Sequence, residues 1–276
     1  MDTVSEWTSF GGDLSVHDHE SETLGCTMRF AVFDPPQTAE EPVPVLWYLS
    51  GLTCTWANVM EKGGLQRKAA ELGVMIVAPD TSPRGEDVAD DEAYDLGKSA
   101  GFYVDATENP WAPNFKMWSY IVDELPSLLG RNFELDMDRQ SITGHSMGGH
   151  GALTIAMAHP DRFASVSAFA PIANPTASDW GKKQLSAYLG EDKGQWAKHD
   201  ASLQMKEVGF DGPVLIDQGA SDNFLDLLRP EALAHAMMAR RQEGLFRMQK
   251  GYDHSYFFIS SFMEDHVTFH AEALYT

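Results

Sequence analysis

The chain predicts an α/β protein built on a mostly parallel central sheet with helices on both faces. Three observations predict it: nearly continuous apolar runs of strand length, stretches between them with apolar residues at helical spacing, and one serine set between glycines directly after such a run. An apolar run without polar alternation suits a strand buried on both sides, and a helix between two such strands makes the crossover that parallel pairing requires.

Residues 23–33 alternate loosely between apolar and polar types and predict an antiparallel edge strand. Residues 35–44 carry four prolines and predict a hairpin or interstrand loop rather than a linker, because neither side is a self-sufficient domain. Central strands follow at 43–49 and 73–78, separated by a helix over 58–72 that stops at Gly73. That is a β-α-β unit. Further helices are expected at 115–129, 147–158, 226–242 and 255–273, and further strands at 140–143, 213–216 and 245–250. Residues 174–208 break the rhythm.

At 276 residues with 43% hydrophobic content, the chain can build one large core, so a single domain over residues 1–276 is expected. A formal net charge of −21 argues against nucleic acid or an anionic membrane surface as partner, since both would repel the protein as a whole. Cys26 and Cys54 make no disulfide framework, and the first residues lack the basic and apolar segments of a secretory signal. A cytoplasmic protein is expected. No run approaches the roughly 18 apolar residues that crossing a bilayer takes.

The chemistry centres on Gly144-His-Ser-Met-Gly148, which follows the strand at 140–143 and precedes the helix at 147–158. Small residues flank the serine because the strand must turn sharply into the helix, leaving the Ser146 hydroxyl exposed at the carboxyl edge of the sheet. Ser146 is the candidate nucleophile. Asp222 lies in the polar turn after the strand at 213–216, and His254 follows the strand at 245–250. Their order, Ser, Asp, His, is the one expected of the α/β-hydrolase fold. The loop Ser50-Gly-Leu-Thr-Cys54 leaves a central strand through a glycine, so the Leu52 N–H can join that of Met147 as an oxyanion hole.

Other polar residues invite blander readings. Asp217 lies within its strand, before Gln-Gly, and reads as structural at the sheet end. His145 and His150 sit too close to Ser146 on one tight turn to swing round to it, and read as packing or hydrogen-bonding residues. His17 and His19 have a spacing that can bind metal on a strand, but no carboxylate or cysteine cluster completes a site. His159, His199, His235, His266 and His270 read as surface or helix-end residues.

Six blocks carry a resemblance: Leu49-Ser-Gly-Leu-Thr-Cys54, Ala78-Pro-Asp-Thr-Ser-Pro-Arg-Gly85, Ala100-Gly-Phe-Tyr-Val-Asp-Ala-Thr107, Gly144 to Leu153, Asp217 to Phe224 and Tyr252-Asp-His-Ser-Tyr256. In this order they resemble the S-formylglutathione hydrolase family, also called the esterase D family, over nearly the whole chain. The resemblance implies an α/β-hydrolase that converts S-formylglutathione to glutathione and formate in formaldehyde detoxification, with side activity on short acyl esters. It places the nucleophile on Ser146, the acid on Asp222, the base on His254 and the oxyanion donors on Leu52 and Met147. It also implies a cysteine at Cys54 whose modification could obstruct the site, against the plain reading of a small buried hydrophobe. Trp180 matches a segment near the substrate pocket, while core packing is preferred for Trp196. Lys182 and Lys183 could attract the glutathione carboxylates, though a solvated helix face is the simpler reading. Gly97-Lys98-Ser99 departs from the family, whose members are richer in glycine and aromatics there.

No metal or organic cofactor is needed for this chemistry, and a homodimer is a candidate assembly. Two alternatives stand beside the thioesterase: a general short-chain carboxylesterase with the same triad, and an acyltransferase that passes the acyl group to an alcohol or sugar.

Overall fold

A computed structural model describes residues 1–276. Strands run at Asp2–Ser9 (β1), Gly12–Ser21 (β2), Cys26–Asp34 (β3), Val43–Leu49 (β4), Met75–Pro79 (β5), Leu135–Gly144 (β6), Phe163–Phe169 (β7), Val214–Gly219 (β8) and Gly244–Gln249 (β9). They form one nine-stranded sheet in the order β1-β2-β3-β5-β4-β6-β7-β8-β9. From β5 to β9 neighbours pair parallel, and β1, β2 and β3 join in antiparallel pairs. β4 and β5 are buried at every residue, as their unbroken apolar sequences require.

One strand expectation changes. Residues 23–33 do not form an edge: β3 lies inside β1 and β2, whose Asp, Ser, Glu and His residues hid the strand pattern. Residues 35–44 make the interstrand loop expected as one alternative, not the hairpin: a short 3-10 turn at Pro36–Ala39 lies on the path from β3 past β5 to β4. β7, Phe-Ala-Ser-Val-Ser-Ala-Phe, went unanticipated.

The helices expected at 147–158 and 255–273 form at full length, whereas the others are interrupted. The expected helix at 58–72 is two, Trp56–Lys62 (α1) and Gln66–Leu72 (α2), parted at Gly63-Gly64. Thr55 and Asn58 close α1 with a reciprocal capping box, and Gly73 ends α2 at φ 68°. Residues 117–129 turn through Met117–Ser119 (α3), a π segment at Tyr120–Glu124 and Leu125–Leu129 (α4). Then come Met147–Ala158 (α5) and, in the stretch that breaks the rhythm, Asp179–Leu189 (α6), Lys193–Lys198 (α7) and Ala201–Glu207 (α8). Pro230 splits the helix expected at 226–242 into Leu225–Leu228 (α9) and Pro230–Arg240 (α10). Tyr256–Leu274 (α11) closes the chain.

α5 and α11 cover opposite faces of the sheet. Gly149 on α5 sits against Ala168 of β7, whereas His266 and His270 on α11 bond the neighbouring Ser167. Those two histidines are fully buried, not at the surface as expected. They occupy the inward stripe of α11 with Ile259, Met263, Val267 and Leu274 and supply hydrogen bonds to the serines of β7. His17 and His19 are buried as well; His17 Nε2 pairs with Ser15 and His19 Nε2 with Tyr120.

Candidate active site

Ser146 ends the β6-to-α5 turn at φ 57°, ψ −115°, a conformation that costs a non-glycine residue energy and persists only where neighbours enforce it. They do so from three directions. The Ser146 N–H donates to the Phe169 carbonyl at 2.9 Å, and its own carbonyl accepts from His150 at 2.9 Å and Ile172 at 3.2 Å. Gly148 must be glycine because a Cβ there would stand 1.9 Å from the Leu49 carbonyl oxygen. Strand β4 can thus pass directly against the first turn of α5.

The Leu52 and Met147 amides both lack a hydrogen-bond partner. For Met147 this follows from its place in the first turn of α5, where N–H groups have no intrahelical acceptor and the helix dipole favours negative charge.

Asp222 and His254 come from the turns after β8 and β9. His254 Nδ1 lies 2.6 Å from Asp222 Oδ2. The carboxylate is fixed in turn by Gln218 Nε2 at 3.0 Å on Oδ2 and the Phe224 N–H at 2.8 Å on Oδ1. Nδ1–H therefore donates to Asp222, and Nε2 keeps its lone pair. No hydrogen bond joins Ser146 Oγ to the imidazole, but both side chains line one cavity of about 280 Å³. Catalytic hydrogen bonds are often loose until substrate enters.

Leu52, Cys54 and Trp180 also line that cavity. Burial pushes the Cys54 thiol above its ordinary value, opposing thiolate formation. Trp180 stacks on Phe224 at 6.4 Å between ring centroids and donates Nε1–H to Asp95 at 2.8 Å. Trp196 is buried away from it. Lys183 also reaches Asp95, at 2.6 Å, and Lys182 pairs with Asp179 on the helix surface.

Asp217 does not line the cavity. It accepts from Arg247, Gln249 and His266; burial opposes its charge, but the His266 and Arg247 bonds overcome burial and hold the carboxyl at about 2. His150 bonds the His199 carbonyl.

The Esterase family matches residues 21–269. An S-formylglutathione hydrolase of Paracoccus denitrificans (strain Pd 1222) is 64% identical over 273 residues, 99% of this chain and 98% of that protein. The chain belongs to the S-formylglutathione hydrolase family. The structure of an S-formylglutathione hydrolase from Agrobacterium tumefaciens superposes with a TM-score of 0.97 at 52% identity, covering 99% of this chain and all of the other. A fluorophosphonate-binding serine hydrolase of Staphylococcus aureus, 18% identical with a TM-score of 0.75 over 94% of this chain and 98% of its own, shares the fold. No helix is long and apolar enough to cross a membrane.

In this member of the S-formylglutathione hydrolase family, sequence reasoning missed part of the cavity wall: Asn58, Tyr94, Phe224 and Tyr256. Phe224 meets the His254 ring edge-on at 5.1 Å. Its signal was its place two residues after Asp222, in the same turn. His145 is more involved than a packing residue beside the elbow. Its ring lies 4.5 Å from that of His254, and burial, aided by repulsion from His254, keeps it well below the ordinary imidazole range. A neutral ring there adds no charge against an imidazolium at His254.

Proposed function

We propose that this chain, as one domain, hydrolyses S-formylglutathione to glutathione and formate, serving formaldehyde detoxification, and cleaves short acyl esters as a side activity. The observation that carries the reading is one cavity lined by Ser146, held at φ 57°, by His254, paired with Asp222 at 2.6 Å, and by Leu52, whose amide like that of the adjacent Met147 is unbonded. His254 Nε2 takes the Ser146 proton as Oγ attacks the formyl carbon. The oxyanion settles on the Leu52 and Met147 N–H groups. The carbon–sulfur bond breaks, the imidazolium returns its proton to the departing sulfur, and glutathione leaves. Water, deprotonated by the same nitrogen, then attacks the formyl ester, and the proton returns to Ser146 Oγ as formate departs. Asp222 holds the tautomer and stabilises the imidazolium without taking its proton. Cys54 stands close enough that a group attached to its sulfur would fill the cavity, and Trp180 bounds the space for the acyl group.

The test is glutathione release from S-formylglutathione by wild type and Ser146→Ala, run beside nitrophenyl acetate and butyrate. Thioester turnover well above the ester rates, and lost in the variant, supports both function and nucleophile. Rapid ester cleavage with negligible thioester turnover would instead favour the general carboxylesterase. One observation speaks for that second reading: no lysine or arginine lines the cavity to receive the glutathione carboxylates.

A further inference from the structure

The amide of Leu52 sits in a loop whose neighbours on both sides are tied down while it stays free. On one side the Ser50 carbonyl accepts from Tyr103 Oη at 2.9 Å. On the other the Cys54 carbonyl accepts from Thr81 Oγ1 at 2.6 Å and Arg84 Nη2 at 3.1 Å. Between them Thr53 adopts φ 64°, with its N–H on the Ser99 carbonyl at 3.2 Å. A β-branched residue in the left-handed region is strained and holds its place only through such ties.

Arg84 joins the supports to one another. Its guanidinium grips both Asp80 oxygens, at 2.7 and 3.0 Å, at the end of β5. It also donates to Ser99 Oγ at 2.7 Å, Thr81 Oγ1 at 3.2 Å and the Cys54 carbonyl. Only a planar fork of five N–H donors can serve a carboxylate, two hydroxyls and a carbonyl together; a lysine ammonium cannot.

We propose that Arg84 is a positioning residue that aims the Leu52 N–H at the developing oxyanion by fixing the Cys54 carbonyl. The inference rests on the oxyanion site of the proposed function. Arg84 does not line the Ser146 cavity; it borders a separate groove of about 450 Å³ together with Arg29 and Asp18. It therefore acts through the loop and not on the substrate, and small solutes can reach its place from the groove.

A misaimed oxyanion donor weakens the transition state and leaves ground-state binding nearly untouched. Arg84→Met should lower kcat on S-formylglutathione about 10- to 100-fold with KM within about twofold. Affinity for a trifluoromethyl ketone, whose serine adduct carries an oxyanion, should fall in proportion, while an S-alkyl glutathione thioether should bind as before. Arg84→Lys should recover little, and millimolar guanidinium should restore part of the activity of Arg84→Ala. A stability role alone would lower Tm and leave kcat and ketone affinity of the folded protein intact; that result overturns the proposal, as does a loss of kcat with ketone affinity unchanged. Should Arg84→Met not fold, Thr81→Val, which removes the other donor to the same carbonyl, carries the test on the same readouts, and unchanged values overturn it. If wild type binds no ketone, or Ser146→Ala keeps its activity, the underlying serine reading fails instead.

Discussion

Ser167, His266 and Asp217 form a hydrogen-bonded row of the same three residue types as Ser146, His254 and Asp222. In the first row His266 Nδ1 meets Ser167 at 2.8 Å and Nε2 meets Asp217 at 2.9 Å, so both ring nitrogens are occupied and the row is buried between strands β7 and β8 and helix α11. In the second, Asp222 takes only Nδ1, the other nitrogen is unengaged, and the imidazole borders a cavity. The carboxylates differ too: Asp217 is neutralised by Arg247, whereas Asp222 is held by an amide side chain and a backbone N–H. A free nitrogen next to open space, rather than the residue types, separates a row suited to proton transfer from one suited to holding a helix on a sheet.

The widest contrast lies between the serines. Ser146→Ala should cut turnover by about four to six orders of magnitude, whereas Ser167→Ala should leave kcat within about twofold and lower stability by about 1–3 kcal/mol. Steady-state kinetics beside urea unfolding reads both, and a large kcat loss in Ser167→Ala would erase the distinction. Next come the aspartates. Asp222→Asn should lower kcat about 10⁴-fold by leaving the wrong tautomer, with little change in Tm. Asp217→Asn should do the reverse, costing about 3–5 kcal/mol by leaving Arg247 without its main partner while the folded fraction stays active.

Acid sharpens the comparison further. Burial lowers His145, His150, His266 and His270 below the ordinary 6.5. Unfolded imidazoles take up protons that these folded ones refuse, so their contribution to stability is present above 6.5 and is lost as pH falls below it. Asp217, held at about 2, adds its own loss only as pH drops from 3.8 toward that value. Tm measured from pH 7 to 5 should therefore decline before Asp217 titrates, and a flat profile would count against neutral buried rings. The smallest effect concerns Cys54: maleimide should inactivate slowly at pH 7 and faster at pH 9, since the thiol is raised. Cys54→Ser should escape; equal inhibition of that variant would remove Cys54 from the cavity's chemistry.

Much of this was legible in the residues. The strands β4 and β5 and the helix α5 announced themselves through continuous apolar runs and a glycine-serine-glycine turn, and the order of Ser146, Asp222 and His254 matched the topology that brings them to one edge. What escaped did so for physical reasons. β7 alternates serine with small and aromatic residues, and its serines are satisfied by hydroxyls of the neighbouring strand β6 and by histidines about a hundred positions away. β1 is polar because it is an exposed edge, whereas β2 buries polar residues that find partners in the fold, as His17 does on Ser15 and His19 on Tyr120. His266 and His270 fall on the apolar stripe of α11 at helical spacing, and that register was the signal for their burial. Arg84, Tyr94 and Asp95 lie between β5 and α3, where no periodicity marks position, so only tertiary contacts reveal their neighbours.

The backbone of Ser146 has a consequence for the order of events in folding. Its unusual dihedrals are imposed by Phe169 and Ile172, and the approach of Gly148 to Leu49 completes the enclosure. His150 and Gly148 belong to the turn and its helix, but Phe169, Ile172 and Leu49 are distant in sequence, so helix α5 can form early while the serine remains an ordinary, relaxed and unreactive residue. Reactivity is thereby a late acquisition, and covalent labelling of the serine during refolding would time the closure of the central sheet rather than the appearance of its helices.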